Sequence, residues 1–390
     1  LTTKKSLPRM GERTCRFLNT PEPAKGERVN YETRRGKLRE RLRKEGLDAF
    51  LVINVEGSDR PNLRYLTGFT GTFGILILGE EIVFATDSRY TERAGREVAG
   101  LPIEEVKGRW IGWLADRLSS LGLKRVGIGT QTTSLYLYRE LERQARGVEL
   151  VPVDGWVETL RRVKDPEEVE QIAAAAELTD EGLRWILGRL RPGMTEREVA
   201  LELEMWYRKS GADDVAFDLI IAFGEGSSMP HYVPGERELS EGDLVLFDVG
   251  AKVDGYCADL TRVVALGRPA PEARAIYELV LAANRAGIEA VQAGISGVDA
   301  DRAARAVIED AGHGERFGHG LGHGVGLEVH EGPRLSPTSE DTLESGMVVT
   351  VEPGVYLPGK FGVRIEDLVV VRPDGCEILS SFPKDELLVL

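Results

Sequence analysis

The chain has 390 residues, of which 42% are apolar and 29% charged, with 45 Gly and 18 Pro. That length predicts one large or two ordinary domains around a sizeable core and excludes a tag, a small disulfide scaffold or a fibre. Fifty Lys and Arg against 64 Asp and Glu leave a net charge of −14, which repels phosphate and excludes an electrostatic basis for nucleic-acid or anionic-membrane partners.

No apolar run of about 18 residues occurs, and the basic start of the chain lacks the apolar stretch of a signal peptide, so the expectation is a cytoplasmic protein with no membrane contact. Cys15, Cys257 and Cys376 are an odd number at wide spacing, which predicts reduced thiols, with Cys257 a small packed hydrophobe. Residues 1–27 are rich in Lys, Arg, Pro, Thr and Gly without periodicity, and an unstructured extension is expected there.

From Tyr31 to Glu45 the pattern is helical, Gly46 stops it, and Ala49 to Ile53 reads as a buried strand. Gly74–Leu78 and Ile82–Ala85 are strands split by Gly79-Glu80-Glu81, while helices Trp110–Leu121 and Ser134–Gln144 flank a strand Arg125–Ile128. This is an α/β domain, placed at residues 28–158. Asp165-Pro166-Glu167-Glu168 is a capping box with Pro at the first helical position, opening a helix that runs to Leu190. A domain boundary is expected near residues 154–164, with the second domain at 159–390. Thr195 to Glu198 caps a helix reaching Lys209, and Pro271 and Asp299 open two more. Strands Leu244–Ala251, Tyr256–Ala265, Met347–Glu352 and Val363–Val371 share this half with the helices, so its class is α+β.

Histidine is scarce, five in the chain, so a 12-residue window should hold about 0.15 of one by composition. Residues 319–330 hold His319, His323 and His330. Alternate glycines from Gly318 to Gly326 make a helix improbable, which excludes a zincin HExxH site. In an extended chain His319 and His323 face the same way, and the glycines let ligand and backbone approach closely. The plain alternative is a Gly-rich loop with surface histidines.

Asp248 interrupts an apolar strand, and Asp259 follows eleven residues later across the turn signal Asp254-Gly255. If Asp254 and Gly255 form a two-residue loop, 250 opposes 259 and Asp248 lies diagonal to Asp259 on one face. Two carboxylates held that close need a cation or a proton. Glu352 ends an apolar strand and Glu366 sits inside another, with Arg364 on the same face as Glu366; an ordinary cross-strand ion pair is the simpler reading of that pair. Together Asp248, Asp259, Glu352 and Glu366 supply four negative charges and His323 one neutral nitrogen, which balances two divalent cations. Oxygen-rich ligation with one imidazole suits Mn²⁺ or Co²⁺, with Zn²⁺ and Fe²⁺ still open. Two such ions can activate water and polarise a carbonyl, so hydrolysis is the natural reaction class.

The segments Phe247-Asp248-Val249-Gly250, Ala258-Asp259-Leu260-Thr261-Arg262, His319 to Glu331, Val351-Glu352-Pro353-Gly354 and Arg364-Ile365-Glu366-Asp367 resemble those of the pita-bread metallopeptidases, and most of all Xaa-Pro aminopeptidases (aminopeptidase P) and prolidases. The resemblance spans roughly residues 30–390. Arg64 to Gly71 and Thr86 to Tyr90 resemble that family's creatinase-type amino-terminal domain. It implies an α+β pita-bread catalytic domain after an α/β creatinase-type domain. It also implies Asp248, Asp259, His323, Glu352 and Glu366 as ligands of two divalent ions, with Mn²⁺ favoured and Co²⁺ or Zn²⁺ as alternatives. Asp259 and Glu366 would bridge, and Glu352 would also accept the proton of the nucleophilic water. By the same resemblance His231 contacts substrate or shuttles a proton, His319 and His330 face the peptide and the tetrahedral intermediate, and Arg364 supports the ligands or positions substrate. His313 matches no such position and sits at a helix end.

The implied activity is release of an amino-terminal residue from a following proline (Xaa-Pro aminopeptidase), since the tertiary X-Pro amide lacks the N–H other peptidases use. A prolidase cleaving only Xaa-Pro dipeptides is the alternative, and a non-catalytic pita-bread scaffold stands behind both. Expected partners are proline-containing peptides or dipeptides and a second copy or copies, as homodimer or homotetramer.

Overall fold

The computed structural model describes residues 30–98 and 100–390. The extension expected at residues 1–27, and Cys15 with it, lies outside the described residues.

The upstream half is built on a six-stranded mixed sheet in the order Ile103–Glu105, Ile82–Thr86, Phe73–Gly79, Ala49–Val55, Arg125–Gly129, Glu149–Val153. Side chains of its central strand alternate between two cores. Phe50 and Val52 pack toward helix Tyr31–Glu45, while Ala49, Leu51 and Ile53 pack toward helices Trp110–Ser120 and Leu135–Gln144. Gly46, in the left-handed conformation, ends the first helix and returns its N–H to the Leu42 carbonyl. Helices Arg60–Thr67, Thr91–Glu97 and Trp156–Arg162 join those expected.

In the second half, helices Pro166–Leu187 and Glu196–Lys209 both open with complete capping boxes, on Asp165 with Glu168 and on Thr195 with Glu198. The helix expected to start at Asp299 starts at Gly297, because Ser296 supplies the capping oxygen to the Asp299 N–H. These helices and Pro271–Ala290 cover the outer faces of a four-stranded sheet (Leu388–Val389, Leu260–Ala265, Leu244–Val249, Ile220–Phe223) and a five-stranded one (Glu331–Leu335, Gly322–Gly324, Val348–Val351, Asp367–Arg372, Gly375–Ile378). This is the α+β pita-bread arrangement. Among the described residues no helix is long and apolar enough to cross a membrane.

Three strands expected to be continuous are interrupted. Leu244–Ala251 breaks at Gly250, Tyr256–Ala265 at Ala258-Asp259, and Val363–Val371 at Ile365-Glu366. At Gly250 two backbone segments approach closely, since a Cβ there would lie 2.1 Å from the Ala258 carbonyl oxygen, an approach that only glycine admits. The register nevertheless survives the break: Val253 opposes Tyr256, and Asp248 opposes Thr261. Both residues of the Asp254-Gly255 turn have positive φ, 43° and 72°, the two-residue hairpin geometry whose twist matches the strands.

The two halves meet through buried ion pairs. Arg34 of the first helix joins Asp165 and Glu168, and Tyr256 donates to Glu168 Oε1 at 3.0 Å. Arg161, 2% exposed, reaches Asn62 upstream and Glu328 and Glu331 downstream.

Candidate metal centre

A cleft of about 790 Å³ opens between the two sheets of the second half, and Asp248, Asp259, His323, Glu352, Glu366, His231, His319, His330 and Arg364 all line it. Asp248 enters from mid-strand. Asp259 and Glu366 enter where their strands are interrupted, and Glu352 just past the end of Val348–Val351. Breaking the ladder there turns each carboxylate into the cleft.

Oxygens of Asp248, Asp259 and Glu366 lie within 4.8 Å of one another. His323 Nε2 stands 3.2 Å from Glu352 Oε1 and 3.7 Å from Asp259 Oδ2. Its Nδ1 is 3.1 Å from the Gly324 carbonyl, so the Nδ1–H donates there and Nε2 is the nitrogen that faces the carboxylates. The Thr350 hydroxyl accepts from the His323 backbone N–H and donates to Glu352 Oε1 at 3.1 Å.

The cluster is starved of positive charge. Burial, then the neighbouring acids, push the Asp259 and Glu366 carboxyls well above the usual range, and burial also raises Asp248. Burial alone would raise Glu352 too, but the hydrogen bond and charge of His323 outweigh it and hold that carboxyl down to about 2. Glu366 Oε1 is buried with no hydrogen-bond partner among the described residues. Converging carboxylates, an imidazole nitrogen and an orphaned buried oxygen fit a hard divalent cation, which would supply the missing charge.

Arg364 differs from expectation. Its ion partner is Asp248, at 2.5 Å, rather than Glu366. The strand break begins just after Arg364 and contains Glu366, so both side chains reach the cleft without pairing directly. Arg364 reaches Glu366 only through Thr261, whose hydroxyl accepts from Arg364 Nε at 2.8 Å and donates to Glu366 Oε2 at 2.7 Å. Its Nη1 donates to the Tyr356 hydroxyl, which stands 2.9 Å from His319 Nε2. His319 Nδ1 faces the Gly320 carbonyl, so this chain runs from Arg364 through Tyr356 to the His319 ring, with the tautomer assigned from these bonds.

The His330 ring packs edge-on against His323, centroids 4.3 Å apart, and burial first, then His323, lowers its pKa to about 4. His231 is exposed at the cleft mouth, after the short helix Gly224–Ser228. His313 lies outside the cleft, at the start of the turn Gly314–Arg316. Tyr356, Thr261, Thr350 and Arg334 were not singled out from sequence. Their one available signal was adjacency to the acidic motifs, since each sits within four residues of Glu352, Asp259 or His330.

The sequence profile of metallopeptidase family M24 matches residues 170–373, and that of the creatinase/prolidase N-terminal domain residues 34–163. A Xaa-Pro dipeptidase from Pyrococcus horikoshii is 35% identical over 352 residues, 90% of this chain and 97% of that protein. Among solved structures, a Xaa-Pro dipeptidase from Bacillus anthracis is 39% identical with a TM-score of 0.89, covering 93% of this chain and 100% of that one. An X-Pro aminopeptidase from Thermotoga maritima is 40% identical with a TM-score of 0.85, covering 90% and 100%.

Proposed function

The chain belongs to metallopeptidase family M24, and on that footing we propose that it hydrolyses the Xaa-Pro bond of dipeptides. This reverses the order taken from sequence, which placed the aminopeptidase first. The curated relative and the B. anthracis structure described above both carry the dipeptidase activity in their names. One feature of the cleft carries the choice. Arg334 lines it on the strand that pairs with Gly322–Gly324, opposite His323, with an exposed side chain and no acidic partner among the described residues. A free guanidinium in a cleft lined by carboxylates matches a dipeptide, whose amino group and carboxylate lie one proline apart.

Asp248, Asp259, His323, Glu352 and Glu366 would hold the divalent ions, with Mn²⁺ the favoured metal. Bound there, such ions lower the pKa of a water and polarise the scissile carbonyl. Glu352 Oε1 accepts from the Thr350 hydroxyl, which leaves Oε2 as the atom to accept the proton of the attacking water. His330, neutral at working pH, and His319, oriented by Tyr356, face the peptide and the tetrahedral carbon. His231 meets substrate at the mouth. That the five side chains proposed as ligands all line one cleft supports an enzyme over a scaffold.

With Mn²⁺ supplied, the expected result is hydrolysis of Gly-Pro and little or none of a Xaa-Pro tripeptide. Arg334→Met should raise KM for Gly-Pro by about tenfold or more, the worth of one charge-assisted hydrogen bond. Tripeptide cleavage as fast as dipeptide cleavage would make the enzyme an aminopeptidase.

A further inference from the structure

His330 makes no hydrogen bond through its ring among the described residues, so its position is set by the backbone that carries it. That backbone, Gly326 to His330, belongs to no helix or strand. What holds it is a charge cluster on the side away from the cleft. Glu328, two residues before His330, and Glu331, one after, both place Oε2 on Nη2 of Arg161, the first at 2.7 Å and the second in a short ion pair. Lys164 Nζ takes the other Glu331 oxygen at 2.9 Å. Arg161, Lys164 and Glu331 side chains are 3%, 1% and 8% exposed, so this is a buried and internally neutralised cluster, the kind in which geometry is tightly held. Gly326 makes room for it, since a Cβ there would lie 1.9 Å from Glu331 Oε1.

The guanidinium is anchored from the other side. Arg161 Nη1 donates to Asn62 Oδ1 at 2.9 Å, and Asn62 Nδ2 donates to Glu158 Oε1 at 2.7 Å. Asn62 lies in the upstream half, on helix Arg60–Thr67. One planar fork thus joins the upstream half to a residue on each side of His330.

We infer that Arg161 is a positioning residue for His330, and that through it the upstream domain sets the geometry of the reacting site. This rests on the assignment of His330 to the reaction, and the test separates the two. Steady-state kinetics on Gly-Pro with Mn²⁺ would compare wild type, Arg161→Met, Arg161→Lys, His330→Ala and the double variant Arg161→Met with His330→Ala.

Arg161→Met is expected to lower kcat by about 10–100-fold, the scale of losing a group that orients an active-site residue. KM should stay within about threefold and metal content should be unchanged, because no proposed ligand is touched. Arg161→Lys keeps the charge and should recover part of the loss. In the His330→Ala background Arg161→Met should cost nothing further, since the group it positions is gone. Leu118→Ala, in the upstream core, controls for lost stability and should leave kcat unchanged at a temperature where it is folded. If Arg161→Met does not fold, Glu328→Gln, on the half-exposed arm of the cluster, should lower kcat in the same direction and show the same non-additivity. Equal losses from Arg161→Met with and without His330, or wild-type kcat in Arg161→Met, would overturn the inference. Wild-type kcat in His330→Ala would instead overturn the role of His330 on which it rests.

Discussion

Glu366 and Asp367 are neighbours in the chain and each is 1% exposed, yet their carboxylates occupy opposite surroundings. Asp367 faces the core, where Arg262 sits 2.9 Å away and Lys384 forms a second, short ion pair. Burial alone would raise its carboxyl, but these cations win and hold it below the ordinary range. Glu366 faces the cleft with Asp248, Asp259 and Glu352, and its carboxyl is pushed well above that range by burial and then by Glu352 and Asp248. Both carboxylates are buried, and only one is neutralised from within the protein. An internally balanced cluster is a fastening, whereas one left negative is built for a cation that arrives from outside.

The largest effect expected from breaking this contrast is on the cleft side. Glu352→Gln keeps the shape of the side chain and removes the proton acceptor, so kcat on Gly-Pro should fall by about 10²–10⁴-fold while the protein stays folded. Wild-type turnover in that variant would remove Glu352 from the mechanism.

On the core side the matching change is Arg262→Met. It strips Asp367 of one cation and frees the Phe382 and Glu366 carbonyls that Arg262 now satisfies. Loss of one partner of a buried pair costs about 3–5 kcal/mol, read as a lower denaturant midpoint, and a midpoint within error of wild type would show that Lys384 alone suffices.

The smallest effect carries the sharpest sign. Asp259 and Glu366 have folded pKa values above their ordinary ones, so between those limits the folded, metal-free protein holds more protons than the unfolded chain. Its stability therefore falls as pH rises through that window and levels off above it. Asp367, with its lowered pKa, contributes stability that is present at neutral pH and lost on acidification. In chelator, Asp259→Asn should melt higher than wild type at pH 8 by at least about 1 kcal/mol, the scale of one pKa unit, and the gap should close toward pH 4. A variant less stable than wild type across the whole range would contradict the charge imbalance.

What could be read from sequence divides along the same line between local and tertiary causes. The Asp254-Gly255 turn sets its own register by backbone preference, so the residue spacing alone places Asp248 diagonal to Asp259. Capping boxes at Asp165 and Thr195 are equally local. The strand breaks were not legible, because they lie where separate segments meet in three dimensions, as Gly250 meets the Ala258 carbonyl. For the same reason Arg364 was assigned to Glu366 when its partner is Asp248. Arg161 gave no signal at all: in sequence it is one of two adjacent arginines at a helix end, and only packing shows that Arg161 is buried while Arg162 is partly exposed.

The most direct test of the cation-seeking cleft is metal stoichiometry, measured by elemental analysis after dialysis of wild-type protein and Asp259→Asn against Mn²⁺. Two ions per wild-type chain are expected, with loss of at least one in the variant, together with hydrolysis that chelation removes and Mn²⁺ restores. Full hydrolysis of Gly-Pro by protein stripped of metal, or a wild-type chain that takes up no divalent ion, would contradict it.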